Sequence, residues 1–133
     1  MGKRRWIKAG VELLSETAGE GPPVERHKHY QIKLRMWLRK GEPVRWPRPW
    51  GLLDHAGVEE DGAVMTTVVR VDRVNLFGGL FYGIQGMRVG GTRSLQIAPH
   101  LAYGEQGVPD VVPANALLTV EIAVLADRPE LNW

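Results

Sequence analysis

Residues 29–38 (HYQIKLRMWL) carry the clearest pattern in the chain. Tyr30, Ile32, Leu34, Met36 and Leu38 fall on one side of an extended backbone, and Gln31, Lys33, Arg35 and Trp37 on the other. Alternation over this length predicts a half-buried strand of an antiparallel sheet. Residues 7–14 predict a weaker first strand, followed by a turn-rich connection over 15–23 (SETAGEGPP). Lys40, Gly41 and Glu42 read as a turn. Residues 45–62 hold two prolines and two tryptophans without a sustained period, and read as an irregular insertion. Strand chemistry returns over 63–74 with the β-branched run VMTTVVRV.

The pattern changes at residues 75–85 (NLFGGLFYGIQ). Leu76, Phe77, Leu80, Phe81 and Ile84 recur at helical spacing, and Asn75 is placed to cap the start. Each of the three glycines in this segment weakens a helix by roughly 1 kcal/mol against alanine. Such a helix must rest on packing, or its backbone must lie close to a neighbour. Residues 86–91 predict a turn, and 92–98 and 116–126 two further strands. Between those strands runs a loop rich in turn residues, with Pro99, Gly104, Gly107, Pro109 and Pro113 around a single tyrosine, Tyr103. A loop of this length inside a compact domain is usually functional or disordered. The elements together predict an α+β domain of mostly antiparallel strands with one short helix.

Composition narrows the class without changing the fold. A chain of 133 residues with 44% hydrophobic content is one ordinary domain with a real core. It has no cysteine, which removes disulfides and thiolate metal cages and fits a cytoplasmic location. Net charge is only +2, with 17 basic residues against 15 acidic ones, so no nucleic-acid partner is expected. No apolar run is long enough to span a bilayer, and no membrane partner is expected. His27 and His29 share a face and could join His55 or His100 around a metal, but no carboxylate spacing accompanies them, and no metal is expected. The basic Lys3, Arg4 and Arg5 read as a solvated tail.

The segment from Gly79 to Leu125 resembles the FKBP-type peptidyl-prolyl isomerase family. The resemblance rests on G-x-x-GM-x-VG-x-x-R from Gly83 to Arg93, I-x-P-x-x-AYG-x-x-G from Ile97 to Gly107, P-A-N-A-L from Pro113, and the closing strand. It extends more weakly toward the N-terminus through WLRKGEPV at 37–44. It implies one FKBP-like domain over 1–133, with a curved antiparallel sheet wrapped around the short helix and an insertion at about 45–62. It also implies an apolar pocket between sheet and helix, covered by the 98–116 loop.

In that pocket the resemblance places Tyr103, whose hydroxyl would meet a substrate carbonyl, the backbone N–H of Phe77, which would meet another, and Leu80 as the floor. Leu34, Val44, Arg45, Val111, Val112 and Val120 would line it. Several of these depart from the family's pattern. Leu80 stands where a tryptophan floor is usual, Val44 and Val120 replace phenylalanines, Leu34 replaces a tyrosine, and Arg45 replaces an acidic residue. With only two phenylalanines in the chain, Phe77 and Phe81, no alignment restores the lost walls. Trp46 and Trp50 of the insertion are candidates to cover the pocket in their place. The implied function is isomerisation of X–Pro bonds in proline-containing polypeptides, at reduced efficiency and with no cofactor. The alternative is a non-catalytic binding module for a protein partner or an apolar ligand. The sequence sets no oligomeric state.

Overall fold

A computed structural model describes residues 4–48 and 57–133. Seven strands form one antiparallel sheet: β1 (Arg5–Lys8), β2 (Val11–Thr17), β3 (His29–Trp37), β4 (Gly57–Glu59), β5 (Val64–Arg70), β6 (Thr92–Ile97) and β7 (Leu118–Asp127). Their spatial order is β1-β2-β6-β7-β3-β5-β4. One helix, α1 (Gly78–Ile84), lies between β5 and β6 in the chain, and a 3-10 turn spans Pro99–Leu101. Among the described residues no helix is long and apolar enough to cross a membrane.

The alternation of β3 is realised as expected: Ile32, Leu34 and Met36 are buried, and Lys33 and Arg35 face outward. They meet Val120, Ile122 and Val124 of β7, Leu95 and Ile97 of β6, Val11 and Leu13 of β2, and Leu76, Leu80 and Ile84 around α1 in one apolar core. Bulges interrupt the β1–β2, β2–β6 and β3–β7 ladders. Bulges bend strands and increase their twist, which lets the sheet close around the helix.

Several boundaries differ from the sequence reading, each for a local reason. The expected strand over 7–14 is two strands, because Gly10 takes φ +91° and reverses the chain between β1 and β2. The second runs on to Thr17, into the expected connection, because Ser15, Glu16 and Thr17 pair with β6. The insertion at 45–62 is not wholly irregular: Gly57–Glu59 adds β4 to the edge of β5.

β5 stops at Arg70 instead of running to residue 74, and Asn75 is not the cap of α1. Asp72 stops the strand and recruits Asn75. Its Oδ1 accepts hydrogen bonds from the backbone N–H of Val74 (3.0 Å), the backbone N–H of Asn75 (2.8 Å) and the Asn75 side-chain amide (3.0 Å). Its Oδ2 takes the Arg70 guanidinium at 2.6 Å. This turn orients the link into the helix, whose N-cap is Phe77 in extended geometry.

The glycines of α1 serve close approach. A Cβ at Gly79 would collide with the Ile97 side chain, and one at Gly83 would sit 2.5 Å from Leu95 Cδ1. The helix backbone therefore rests directly on β6. Arg93 of β6 fastens the far end, donating from Nη1 to the carbonyls of Gly83 (2.8 Å) and Gln85 (2.6 Å), while its Nε reaches Glu16 of β2. A cation at the last carbonyls of a helix is favourable both as a hydrogen-bond donor and against the helix dipole.

Two measurements check this account. Gly79→Ala should gain about 1 kcal/mol of helix propensity but lose roughly 1–3 kcal/mol to overpacking against Ile97, so its melting temperature should fall. Gly78→Ala, where only the tip of Leu101 must move, should cost less. Asp72 gives a pH test. Burial alone would push its carboxyl up, but the hydrogen bonds from Asn75, Arg70 and Val74 outweigh that and bring it to about 2. A folded-state value below the unfolded one means the stabilisation is present above about pH 4 and is lost as pH falls through about 2. Asp72→Asn should therefore destabilise the protein at pH 7 by about 1 kcal/mol or more, and the gap from the native chain should shrink across that acid window in urea titrations.

Candidate functional site

Tyr103 sits in the loop between β6 and β7, and the loop holds itself through local hydrogen bonds. Gly104 N–H donates to Pro99 O at 2.8 Å, Gly107 N–H to Tyr103 O at 3.0 Å, and Asn115 N–H to Gly104 O at 2.8 Å. Farther along, Val108 and Val112 exchange N–H···O bonds of 2.8 and 2.9 Å, making a small hairpin with Pro109, Asp110 and Val111 at its tip. The many prolines and glycines thus build a self-supported cover without joining the sheet.

The Tyr103 ring packs 5.0 Å from the ring of Phe77 and 5.8 Å from that of Trp46, centroid to centroid, both tilted. Such spacing is within the range of favourable aromatic pairs. Phe77 is delivered by the start of α1. Trp46 is delivered by the insertion and is fixed at its backbone, where its N–H donates to Gly62 O at 3.0 Å. Gly62 has φ +89°, and a Cβ there would strike the Trp46 backbone. The turn that holds Trp46 is anchored in turn: Arg45 Nη1 donates to Glu60 O at 2.9 Å, and Arg35 of β3 pairs with the Glu60 carboxylate at 2.7 Å.

Burial pushes the Tyr103 phenol well above the ordinary tyrosine value. The group is protonated throughout the physiological range and can only donate through its proton or accept at its oxygen. Among the described residues its hydroxyl has no hydrogen-bond partner and is not sealed from solvent. The site therefore offers a neutral donor beside aromatic and aliphatic walls. Among the described residues no group of three His, Cys, Asp or Glu side chains could hold a metal. His29 is engaged elsewhere, with Nε2 2.9 Å from Trp133 O; His55 lies outside the described residues.

The structure brings five of the sequence-derived residues together in the core, but in another form than an open pocket, and it places Arg45 and Val111 outside that buried core. Leu34, Val44, Leu80, Val112 and Val120 all belong to the single core, and Leu80 is 0% exposed. They form a packed aliphatic floor and not an open hollow. Three clefts stand out on the described surface, and neither Leu80 nor Tyr103 lines any of them. Val111 is half-buried at the hairpin tip, beside Trp46. Arg45 points away from the floor toward the Glu60–Asp61 turn. Trp50 lies outside the described residues.

Sequence reasoning missed Gly62, which fixes Trp46, and Asp72, which sets the entry to α1. Asp72 had a local signal in its spacing to Asn75, the signature of an Asx turn. Gly62 had a weaker one, a glycine after three acidic residues at a strand start.

Comparison with known proteins agrees with this arrangement. The model of the FKBP-type peptidyl-prolyl cis-trans isomerase family matches residues 57–125, just over half of the chain. The chloroplastic peptidyl-prolyl cis-trans isomerase FKBP16-4 of Arabidopsis thaliana is 44% identical over 55 residues, covering 41% of this chain and 24% of that one. FK506-binding protein 1A of Neurospora crassa is 51% identical over 39 residues, covering 29% and 32%. The matched stretch is thus a third or less of the length of these relatives. Among solved structures, AtFKBP13 superposes with a TM-score of 0.73 at 19% identity, covering 96% of this chain and 100% of that one. A peptidyl-prolyl cis-trans isomerase of Pseudomonas syringae gives 0.68 at 20% identity, covering 93% and 80%. At that identity the superpositions establish the fold, and the family model carries the assignment: the chain belongs to the FKBP-type peptidyl-prolyl cis-trans isomerase family.

Proposed function

We propose that the chain is a working, slow peptidyl-prolyl cis-trans isomerase whose substrate site is the surface formed by Tyr103, Phe77, Trp46 and Val111 above the Leu80 floor. The observation that carries this reading is the Tyr103 hydroxyl, protonated, flanked by two aromatic rings and without a partner among the described residues.

The chemistry asks little more. Rotation about an X–Pro bond breaks amide resonance against a barrier of about 18–20 kcal/mol. No nucleophile, proton relay or cofactor takes part. The planar amide is more charge-separated than the twisted one, so a water-poor apolar surface penalises the ground state more than the transition state. The Tyr103 O–H holds one carbonyl of the peptide and the Phe77 N–H a second, while the rings of Trp46 and Phe77 contact the proline. Trp46 supplies aromatic surface that the floor lacks, since Leu80 and Val120 are aliphatic. The slow rate follows from that sealed floor: the proline ring lies against the rim of Tyr103, Phe77 and Trp46 and does not enter a deep slot.

The closed floor also favours a second reading, a binding module that holds a partner's proline segment without turning it over. A protease-coupled assay on a proline tetrapeptide separates the two. Acceleration above the uncatalysed rate at high protein concentration supports catalysis, and its absence leaves the binding module. If the hydroxyl binds substrate, Tyr103→Phe should lower kcat/KM roughly fivefold, the worth of one hydrogen bond. Unchanged turnover and unchanged peptide affinity would remove Tyr103 from the site. Trp46→Ala should raise KM with the fold intact by circular dichroism; a faster enzyme would instead make Trp46 a plug.

A further inference from the structure

Beside Trp46 the described surface opens into a cleft of about 630 Å³ between two turns, the β4–β5 turn and the hairpin tip of the covering loop. Its floor is apolar and aromatic, with Trp46, Val58 and Val111. One carboxylate stands on each jaw, Asp61 on the first turn and Asp110 on the second. Trp46 and Val111 are also walls of the substrate site proposed above, so the cleft adjoins that site.

The charge of the cleft has a sign. Among the described residues that line it, Arg45 is the only cation, against the two carboxylates of Asp61 and Asp110. Arg45 already donates to the backbone carbonyls of Glu60 (2.9 Å) and Asp61 (3.4 Å). Its nearest approach to the Asp61 carboxylate is 3.9 Å, with that side chain 95% exposed, so the pair is loose and weak. Among the described residues Asp110 has neither a hydrogen bond nor an ion pair. A long basic side chain suits this arrangement: its methylene stem lies along apolar surface, its cation reaches between carboxylates, and an indole face adds attraction.

We propose that this cleft is a subsite for a lysine or arginine flanking the substrate proline, so that the isomerase prefers basic proline segments. The inference rests on the substrate site proposed above. Both aspartates occupy left-handed backbone, with φ +56° at Asp61 and +62° at Asp110. Asp and Asn are among the residues that tolerate this conformation, so a backbone role alone would account for them. Asn keeps that role and removes the charge, which makes Asp→Asn the discriminating change.

The test uses the full chain and proline tetrapeptides that differ only in carrying Lys, Gln or Glu next to the proline, placed before it in one set and after it in a second. In at least one set kcat/KM should follow Lys > Gln > Glu, with Lys over Glu by roughly three- to fivefold, the scale of exposed ion pairs. The ratio should shrink in high salt. In the Asp61→Asn/Asp110→Asn double variant it should fall close to one, with the melting temperature confirming the fold. Equal rates for Lys and Glu peptides while the Gln peptide is accelerated would overturn the subsite and leave the isomerase reading standing. A Lys preference that survives in the double variant would overturn the assignment to these two carboxylates. Failure to accelerate any peptide would sink the isomerase reading itself, and the subsite with it.

Discussion

The molecule depends on how closely α1 lies against β6. Gly79 and Gly83 bring the helix backbone onto Ile97 and Leu95, at a separation that no side chain at those positions would permit. The depth of that contact sets where Leu76, Leu80 and Ile84 reach the inner face of the sheet, and all three are fully buried there. It also sets where the helix begins, and hence where Phe77 meets Tyr103. Intrinsic propensity opposes a seven-residue helix with three glycines. Tertiary packing overrides it, and the Arg93 guanidinium on the last carbonyls and the Asp72 turn before the first residue hold both ends.

Around that core the site is assembled from pieces that are far apart in sequence and individually rigid. The covering loop stiffens itself through its own backbone bonds. The insertion is tied to the sheet through Gly62, Glu60 and two arginines. Trp46 and Tyr103 therefore meet as parts of two separately braced turns, with the packed aliphatic floor beneath them. The balance of the site differs from what the resemblance alone implies: aromatic surface has moved from the floor to the rim.

Much of the fold was legible because one-residue alternation reports burial directly. β3 and β7 could be read from their own residues, and the spacing of Leu76, Leu80 and Ile84 gave the helix. What failed was decided by single residues acting across space. Gly10 splits one expected strand into two. Ser15–Thr17 look like turn material but are captured by β6, and Gly57–Glu59 becomes a strand only because β5 lies next to it. The resemblance named Tyr103 and Phe77 as groups of one site, and their rings lie 5.0 Å apart, but no local pattern told that Leu80 would be sealed. Nor did any pattern show that Asp61 and Asp110, about fifty positions apart, would face one cleft.

In the proposed reading the proline of a bound segment is received where Tyr103, Phe77 and Trp46 meet. The most direct measurement is a nitrogen-15 NMR titration of the protein with a proline tetrapeptide. Shifts centred on the backbone amides of Tyr103 and Phe77 and on the indole N–H of Trp46 are the predicted result. Saturable shifts centred on the cleft at the His29 end of β3, where Asp127 and Trp133 lie, with Tyr103 and Trp46 silent, would contradict it.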